Sequence, residues 1–496
     1  MKKFLTLALA GAMVLGLSSV VFANICAFDP VPAATLLFPF VEYDYSHNGA
    51  TTAFAITNVS SEAQVVHITL WTDYSVAILD FNVLLTGYDV QTFDIGSILR
   101  DGDLPQTGPT FTESDFDDPH SDGPISETNF LNGDWIEGLL DPPGGAWVCT
   151  DGNPSEYGPG TIPQDVLDLF EGWLKKSQGG ASRAYSDQCD QAWPFAGASG
   201  TDVMGTWWQD DAFNAGRATW MYITADVVQY CNKLFPFQTG YFDDGLRSDD
   251  NVLMGDVFQL NGATGFSSAD NAVHIEADLD LIAVASEGNP GFPASFYARY
   301  SNNDGIQDYR EPLPTAWAFR YLNGPDFTTH IRAWKGGILL DAVNWEWPIV
   351  ADLHLNSRDH NVSSMVASNC LAYTYYAWDE EENVTTSSDN PWSQPGGEYI
   401  VPNLLPLETQ EVDVNEFTLP REDNGWMLFV WPASNFYNAN GVMEQYMPDM
   451  YQTWMGVRYT AYGVFTEGIS GVVMANYNCF CGQVLPQLGI NFDYVG

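Results

Sequence analysis

Residues 51–99 read TTAFAITNVSSEAQVVHITLWTDYSVAILDFNVLLTGYDVQTFDIGSIL, and this run decides the fold class. Phe54 and Ile56 alternate with small or polar residues. Val66, Ile68 and Leu70 alternate with His67, Thr69 and Trp71. Phe81, Val83 and Leu85 alternate with Asn82, Leu84 and Thr86, and Val90, Phe93 and Ile95 close the run. A period of two, carried by β-branched and aromatic residues, marks strands with one buried face. Asn58–Ala63 and Gly87–Asp89 supply turn chemistry between the runs. The stretch predicts four or five consecutive strands forming one sheet.

Upstream, Thr35–Val41 (TLLFPFV) predicts one more strand, and Pro39 within it predicts a sheet edge. Downstream the texture changes. Residues 101–216 are rich in Gly, Pro, Asp and Ser, as in DGDLPQTGPT and DPPGGAW, and predict a loop-rich insertion with one helix near 162–177. Thr161 and Gln164 have the spacing of a capping box. Ile162, Val166, Leu169, Phe170, Trp173 and Leu174 make the apolar stripe. Strands resume at Ala218–Cys231, Val252–Leu260 and Asn271–Leu281, with shorter ones at Ala294–Arg299 and Ala316–Tyr321.

Three late segments echo earlier ones in the same order. Leu404–Phe417 echoes Leu84–Ile98, the run from Asn424 (NGWMLFV) echoes that from Thr219 (TWMYIT), and the run from Trp454 (WMGVRY) echoes that from Leu253 (LMGDVF). Such ordered self-similarity points to duplication. The fold class is therefore all-β and mainly antiparallel, with two immunoglobulin-like or jelly-roll β-sandwich domains. The first comprises 24–100 and 217–289, interrupted by 101–216. Residues 290–345 form a connecting β segment, and 346–496 form the second sandwich, a degenerate repeat of the first.

Residues 1–23 have the plan of a secretory signal: Lys2 and Lys3, the apolar stretch Phe4–Val21, and Val21-Phe22-Ala23 at the cleavage site. The expectation is a secreted, extracellular or cell-surface protein, with the periplasm as the alternative. No later stretch reaches the about 18 apolar residues of a spanning helix, so no transmembrane anchor is expected after cleavage. Acidic residues number 64 against 17 basic ones, for a net charge of −47. That field repels nucleic acid and anionic membranes and attracts divalent cations. The seven cysteines, Cys26, Cys149, Cys189, Cys231, Cys370, Cys479 and Cys481, read as disulfide partners in an exported chain. Their odd number leaves one for a free thiol or a cross-link to another molecule.

The best chemical motif is Tyr300–Glu311 (YSNNDGIQDYRE). It resembles the calcium loop of an EF-hand. On that resemblance Asn302, Asp304 and Asp308 fall at ligand positions, Gly305 at the sharp turn, Ile306 offers its carbonyl, and Glu311 stands where the bidentate carboxylate belongs. Residues 303–308 also resemble the calcium repeats of thrombospondin type 3 modules. Tyr300 departs from the pattern, standing where Asp is usual, and no helical periodicity flanks the loop. The alternative is an Asn-Asp-Gly turn in a β-hairpin. Calcium is the expected cofactor.

Other groups are weaker. Asp115, Asp117 and Asp118, then Asp243 and Asp244, then Asp249 and Asp250 are acidic clusters. His274, Glu276, Asp278 and Asp280 would share one strand face, and Asp352, His354, Asp359 and His360 form a looser group. No His-Glu-x-x-His, Gly-x-Ser-x-Gly, P-loop or Cys-x-x-Cys occurs in the sequence. No catalytic residue is therefore assigned.

The expected function is a secreted acidic structural or cell-surface protein, a fibre, surface-layer or matrix subunit, partnered by itself or by other extracellular components. Two alternatives stand beside it. Trp207, Trp208, Trp345, Trp347 and Trp431 suit polysaccharide binding or a glycoside-active enzyme. The aromatic content and the leader also suit an outer-membrane β-barrel.

Overall fold

The computed structural model describes, apart from short gaps, residues 30–104, 162–174, 219–277, 295–336, 374–386, 405–430 and 435–471. Within them the chain is mostly antiparallel β-structure in several sheets, with very little helix. The strands are β1 (Thr35–Tyr43), β2 (Ala50–Asn58), β3 (Gln64–Thr72), β4 (Ala77–Leu85), β5 (Val90–Asp94), β6 (Thr219–Val228), β7 (Leu253–Asn261), β8 (Phe266–Asn271) and β9 (Val273–Ile275). There follow β10 (Ala316–Leu322), β11 (Phe327–Gly336), β12 (Thr374–Trp378), β13 (Val384–Thr386), β14 (Thr409–Asp413) and β15 (Asn424–Val430). β16 (Asn435–Tyr437), β17 (Met443–Tyr446), β18 (Gln452–Ala461) and β19 (Gly468–Gly471) complete the series. One helix, α1, spans Gln164–Leu174.

The strands of residues 51–99 do not form one sheet. β2 and β5 pair in a sheet of order β5-β2-β7-β8, while β3 and β4 pair in one of order β4-β3-β6-β1-β9. The chain therefore crosses between sheets after Asn58 and again before Val90. The buried Asn58 side chain explains the crossing. Its Nδ2 donates to Glu62 O (2.6 Å) and Thr86 O (2.9 Å), and its Oδ1 accepts from Ser60 N (2.9 Å). One amide thus holds both crossing segments, and period two alone carries no record of it.

β1 is also not an edge, because it lies between β6 and β9. Pro39 is tolerated there because β9 pairs only with Thr35–Leu37 and because the β1–β6 register shifts between Phe38 and Val41. Of the expected strand Asn271–Leu281, Val273–Ile275 form β9, Asn271 ends β8, which was not foreseen, and 278–281 lie outside the described residues. Ser295–Tyr297 form a turn, not a strand. α1 buries Leu167, Phe170 and Leu174, with Ile162 just before it. Leu167, outside the expected stripe, is the i−3 neighbour of Phe170 on that face.

Three apolar clusters organise the packing. The first joins β1–β7 and α1 through Phe38, Phe54, Phe81, Phe93, Ile223 and Leu253. The third joins β10, β11, β12, β14, β15 and β18 through Trp317, Ile331, Tyr375, Val412, Met427 and Val457. The second lies on the other face of β1, β3 and β6, where Trp71, Trp220 and Tyr222 meet Trp334 of β11.

The sheet orders repeat. β5-β2-β7-β8 is matched position for position by β14-β11-β18-β19, and β4-β3-β6-β1 by β13-β12-β15-β10. β5 and β14 both end on an aspartate that accepts a backbone N–H two residues on. These are Asp94 with Gly96 N and Asp413 with Asn415 N, each leading into a short helical turn.

Replacing Asn58 with Ala removes two donors and an acceptor from a buried crossing. The expected cost is about 2–3 kcal/mol, read as a lower urea midpoint at an unchanged m-value.

Candidate functional site

Of the expected calcium ligands, Asn302, Asp304 and Ile306 lie outside the described residues, while Asp308 and Glu311 lie within them. Both are held by backbone contacts. Asp308 Oδ2 accepts from Tyr297 N (2.8 Å), and Glu311 N donates to Glu276 O (2.9 Å). Between them Arg310 is fully buried and bridges to Ala277. Asp308 Oδ1 also accepts from Arg310 N (3.3 Å), and its side chain is fully buried.

Arg310 is the hub of a buried polar node. Its Nη2 donates to Ser248 O (3.0 Å), and its Nη1 lies 3.3 Å from Asp249 Oδ1 and 3.7 Å from Asp308 Oδ1. Its Nε donates to Thr35 Oγ1 and stands 3.6 Å from Asp226 Oδ1. Asp226 of β6 also accepts from the Thr35 hydroxyl, from Tyr241 OH (2.5 Å) and from Tyr297 OH (2.7 Å). Burial, and then the Asp226 carboxylate, push both tyrosines well above their ordinary pKa. Burial opposes the Arg310 charge, but Asp226 and Asp308 outweigh it and raise its pKa. The node fastens Tyr297, Asp308 and Arg310 to β1 and β6.

A second polar cluster sits where the face of β1 and β6 meets β11, β14 and β18. Glu411 of β14 accepts from Arg332 Nε (2.9 Å) and from Arg458 Nη2, and Arg458 Nη1 lies 3.4 Å from Glu42 Oε2 on β1. Arg332 Nη1 donates to Gln259 Oε1 of β7 (2.5 Å), and its guanidinium lies 5.3 Å from the Trp220 ring and 5.9 Å from Phe40. Burial works against the Glu411 charge, yet Arg458 and Arg332 hold its pKa below the ordinary glutamate value. Beside this cluster a small cleft, open in part to solvent, is lined by Phe40, Gln259, Asp270, Arg332 and Trp454. Polar ties reinforce the contact. Thr409 Oγ1 donates to Pro39 O (2.6 Å), and Tyr222 OH donates to Glu408 Oε1 (3.2 Å).

The outer face of β10-β15-β12-β13 carries an aromatic row. Trp378 and Trp426 stack at 4.0 Å and 10°, with Tyr376 5.7 Å from Trp378. Gly425 permits this, since a Cβ there would fall 2.1 Å from Trp378 O.

His274, expected to share one strand face with Glu276, Asp278 and Asp280, is buried. Its Nε2 accepts from Gly255 N (3.1 Å), and burial lowers its pKa. Asp249 and Asp250 are described. Asp249 joins Arg310, and Asp250 Oδ2 accepts from Ser248 Oγ (2.7 Å). The other acidic and histidine clusters of the sequence reading, the five named tryptophans and all seven cysteines lie outside the described residues. Among the described residues no group of three or more His, Cys, Asp or Glu side chains is arranged to hold a metal ion. Arg310, Arg332, Arg458, Trp378 and Trp426 were not singled out from sequence. A signal existed, since each arginine interrupts apolar strand or loop text in a chain poor in basic residues. Compared with protein families, curated proteins and solved structures, the chain matches none.

Lys335 of β11 is 2% exposed and donates through Nζ to Leu405 O. Burial pushes its pKa down from 10.5 to about 7, opposed only in part by Glu408. Between those two values the unfolded chain holds the proton and the folded chain does not, so stability rises with pH through that window. Lys335→Met is expected to be more stable than the native chain at pH 7, by roughly 4 kcal/mol at most. That advantage is expected to fade towards pH 10, as read by urea unfolding across the range.

Proposed function

We propose that the chain is an exported acidic structural or cell-surface subunit of a fibre, surface layer or matrix. On this reading it is built of two β-sandwiches related by duplication and stabilised by disulfides and calcium. The observation that carries the reading is the repeated sheet order, β5-β2-β7-β8 with β4-β3-β6-β1 against β14-β11-β18-β19 with β13-β12-β15-β10. A duplicated pair of sheets, joined by a buried contact and cross-tied by ion pairs, is a rigid building unit. The three echoes of the sequence fall on equivalent strands, β5 with β14, β6 with β15 and β7 with β18. On this reading the second unit starts at β10, inside the segment 290–345.

The charge of −47 supports dependence on cations, because subunits of like sign approach only when their fields are screened. Asn302, Asp304, Ile306, Asp308 and Glu311 are the proposed calcium ligands. Cys26, Cys149, Cys189, Cys231, Cys370, Cys479 and Cys481 are the proposed disulfide and cross-linking residues.

The test is the solution mass of the mature chain by light scattering, oxidised, in calcium and then in chelator. Large particles that shrink when calcium is withdrawn and when disulfides are reduced are expected. A monomer indifferent to both would overturn the reading.

A further inference from the structure

The buried contact between sheet faces inside the chain has counterparts at both outer faces of the assembly of sheets. Met221 of β6 and Met427 of β15 enter the first and third apolar clusters at equivalent positions. One residue earlier, Trp220 and Trp426 point to the opposite face. Trp220 is 3% exposed, covered by Arg332, whereas Trp426 is 40% exposed. Opposite them in register stand Glu42 on β1 and Arg320 on β10.

The other partner sheet repeats the pattern. Val257 of β7 and Val457 of β18 face the first and third clusters, paired with Phe54 and Ile331. The next residues, Phe258 and Arg458, face outward. Arg458 meets Glu42 across the internal contact, whereas Phe258 is 43% exposed, with Leu260 at 44% on the same strand face.

We infer that copies of this chain join head to tail, the outer face of β10-β15-β12-β13 of one seating on the outer face of β5-β2-β7-β8 of the next. This deepens the structural-subunit reading and rests on it. The occupant is a second copy because the contact continues, between chains, the sheet-face pairing already made within one. The chemistry across it is complementary. Where Glu42 meets Arg458 inside the chain, Arg320 would meet Phe258, with the exposed Asp256 two residues along the same face. The two faces differ, so the contact is heterologous and does not close on itself. Repetition gives an open chain of subunits.

The experiment uses two variants of the full mature chain, Trp426→Glu on one face and Phe258→Glu on the other, followed by sedimentation velocity in calcium. The native chain is expected to gain mass with concentration, and each variant alone to associate at least about tenfold more weakly. An equimolar mixture is expected to stop at a dimer of one variant with the other, because one intact copy of each face remains. Leu322→Glu and Leu260→Glu, at exposed positions on the two faces, form a second pair, and near-UV circular dichroism confirms native packing in all four. If both variants assemble like the native chain, this contact is overturned while the subunit reading stands. If the variants are monomeric but their mixture forms no dimer, the head-to-tail pairing is overturned. If the native chain stays monomeric in calcium, both readings fail.

Discussion

Glu411 shared between Arg332 and Arg458, with Trp220 and Phe40 against the Arg332 guanidinium, is the interaction on which the molecule's architecture turns. It lies where β1 and β6 meet β11, β14 and β18, and its charges are nearly shut off from water. A buried charge is tolerated only when paired, and removing one member of such a set leaves the others stranded, at about 3–5 kcal/mol. An apolar contact between two sheet faces admits several registers. An arginine that must meet both Glu411 and Gln259 while lying on Trp220 admits one. The aromatic packing of Trp71, Tyr222 and Trp334 then follows from the register that the charges set.

The Arg310 node does for Tyr297, Asp308 and Arg310 what Glu411 does for the sheets. Asp226, deep in β6, is met by two tyrosines and a threonine and faces Arg310. This anchors Asp308 and Glu311, the two described members of the expected calcium set. The two nodes share a logic, in that rare basic residues of a strongly acidic chain are spent inside it.

Strand existence was legible where the period was clean. β1, β6 and β7 overlap their expected spans to within three residues at each end, and β2 to β5, apart from Ala50, fall inside the run 51–99, because alternation reports a half-buried face directly. Sheet membership was not legible. The crossing at Asn58 depends on one side chain bonding Glu62 and Thr86 carbonyls, a tertiary fact that local alternation cannot carry. Pro39 misled for a related reason, since a proline rules out one ladder bond and not every interior position, and β9 is too short to need that bond. His274 looked wet because alternation with Glu276 placed it on a polar face, yet Gly255 N reaches it from the neighbouring sheet. The repeat of sheet orders was legible only as three ordered echoes, because the outward residues at equivalent positions, Glu42 and Arg320 or Phe258 and Arg458, do not resemble one another. The inward Met221 and Met427 do, as do Val257 and Val457, although the third echo as read from sequence lies one residue out of the structural register.

The central claim is that the buried charge cluster couples the two sets of sheets into one cooperative unit. Differential scanning calorimetry of the native chain beside Arg332→Met tests it most directly. The account predicts one native transition whose calorimetric and van't Hoff enthalpies agree, and two separated transitions once Arg332 is gone. A native chain that already unfolds in two independent steps, or an Arg332→Met chain that melts as the native one does, would contradict it.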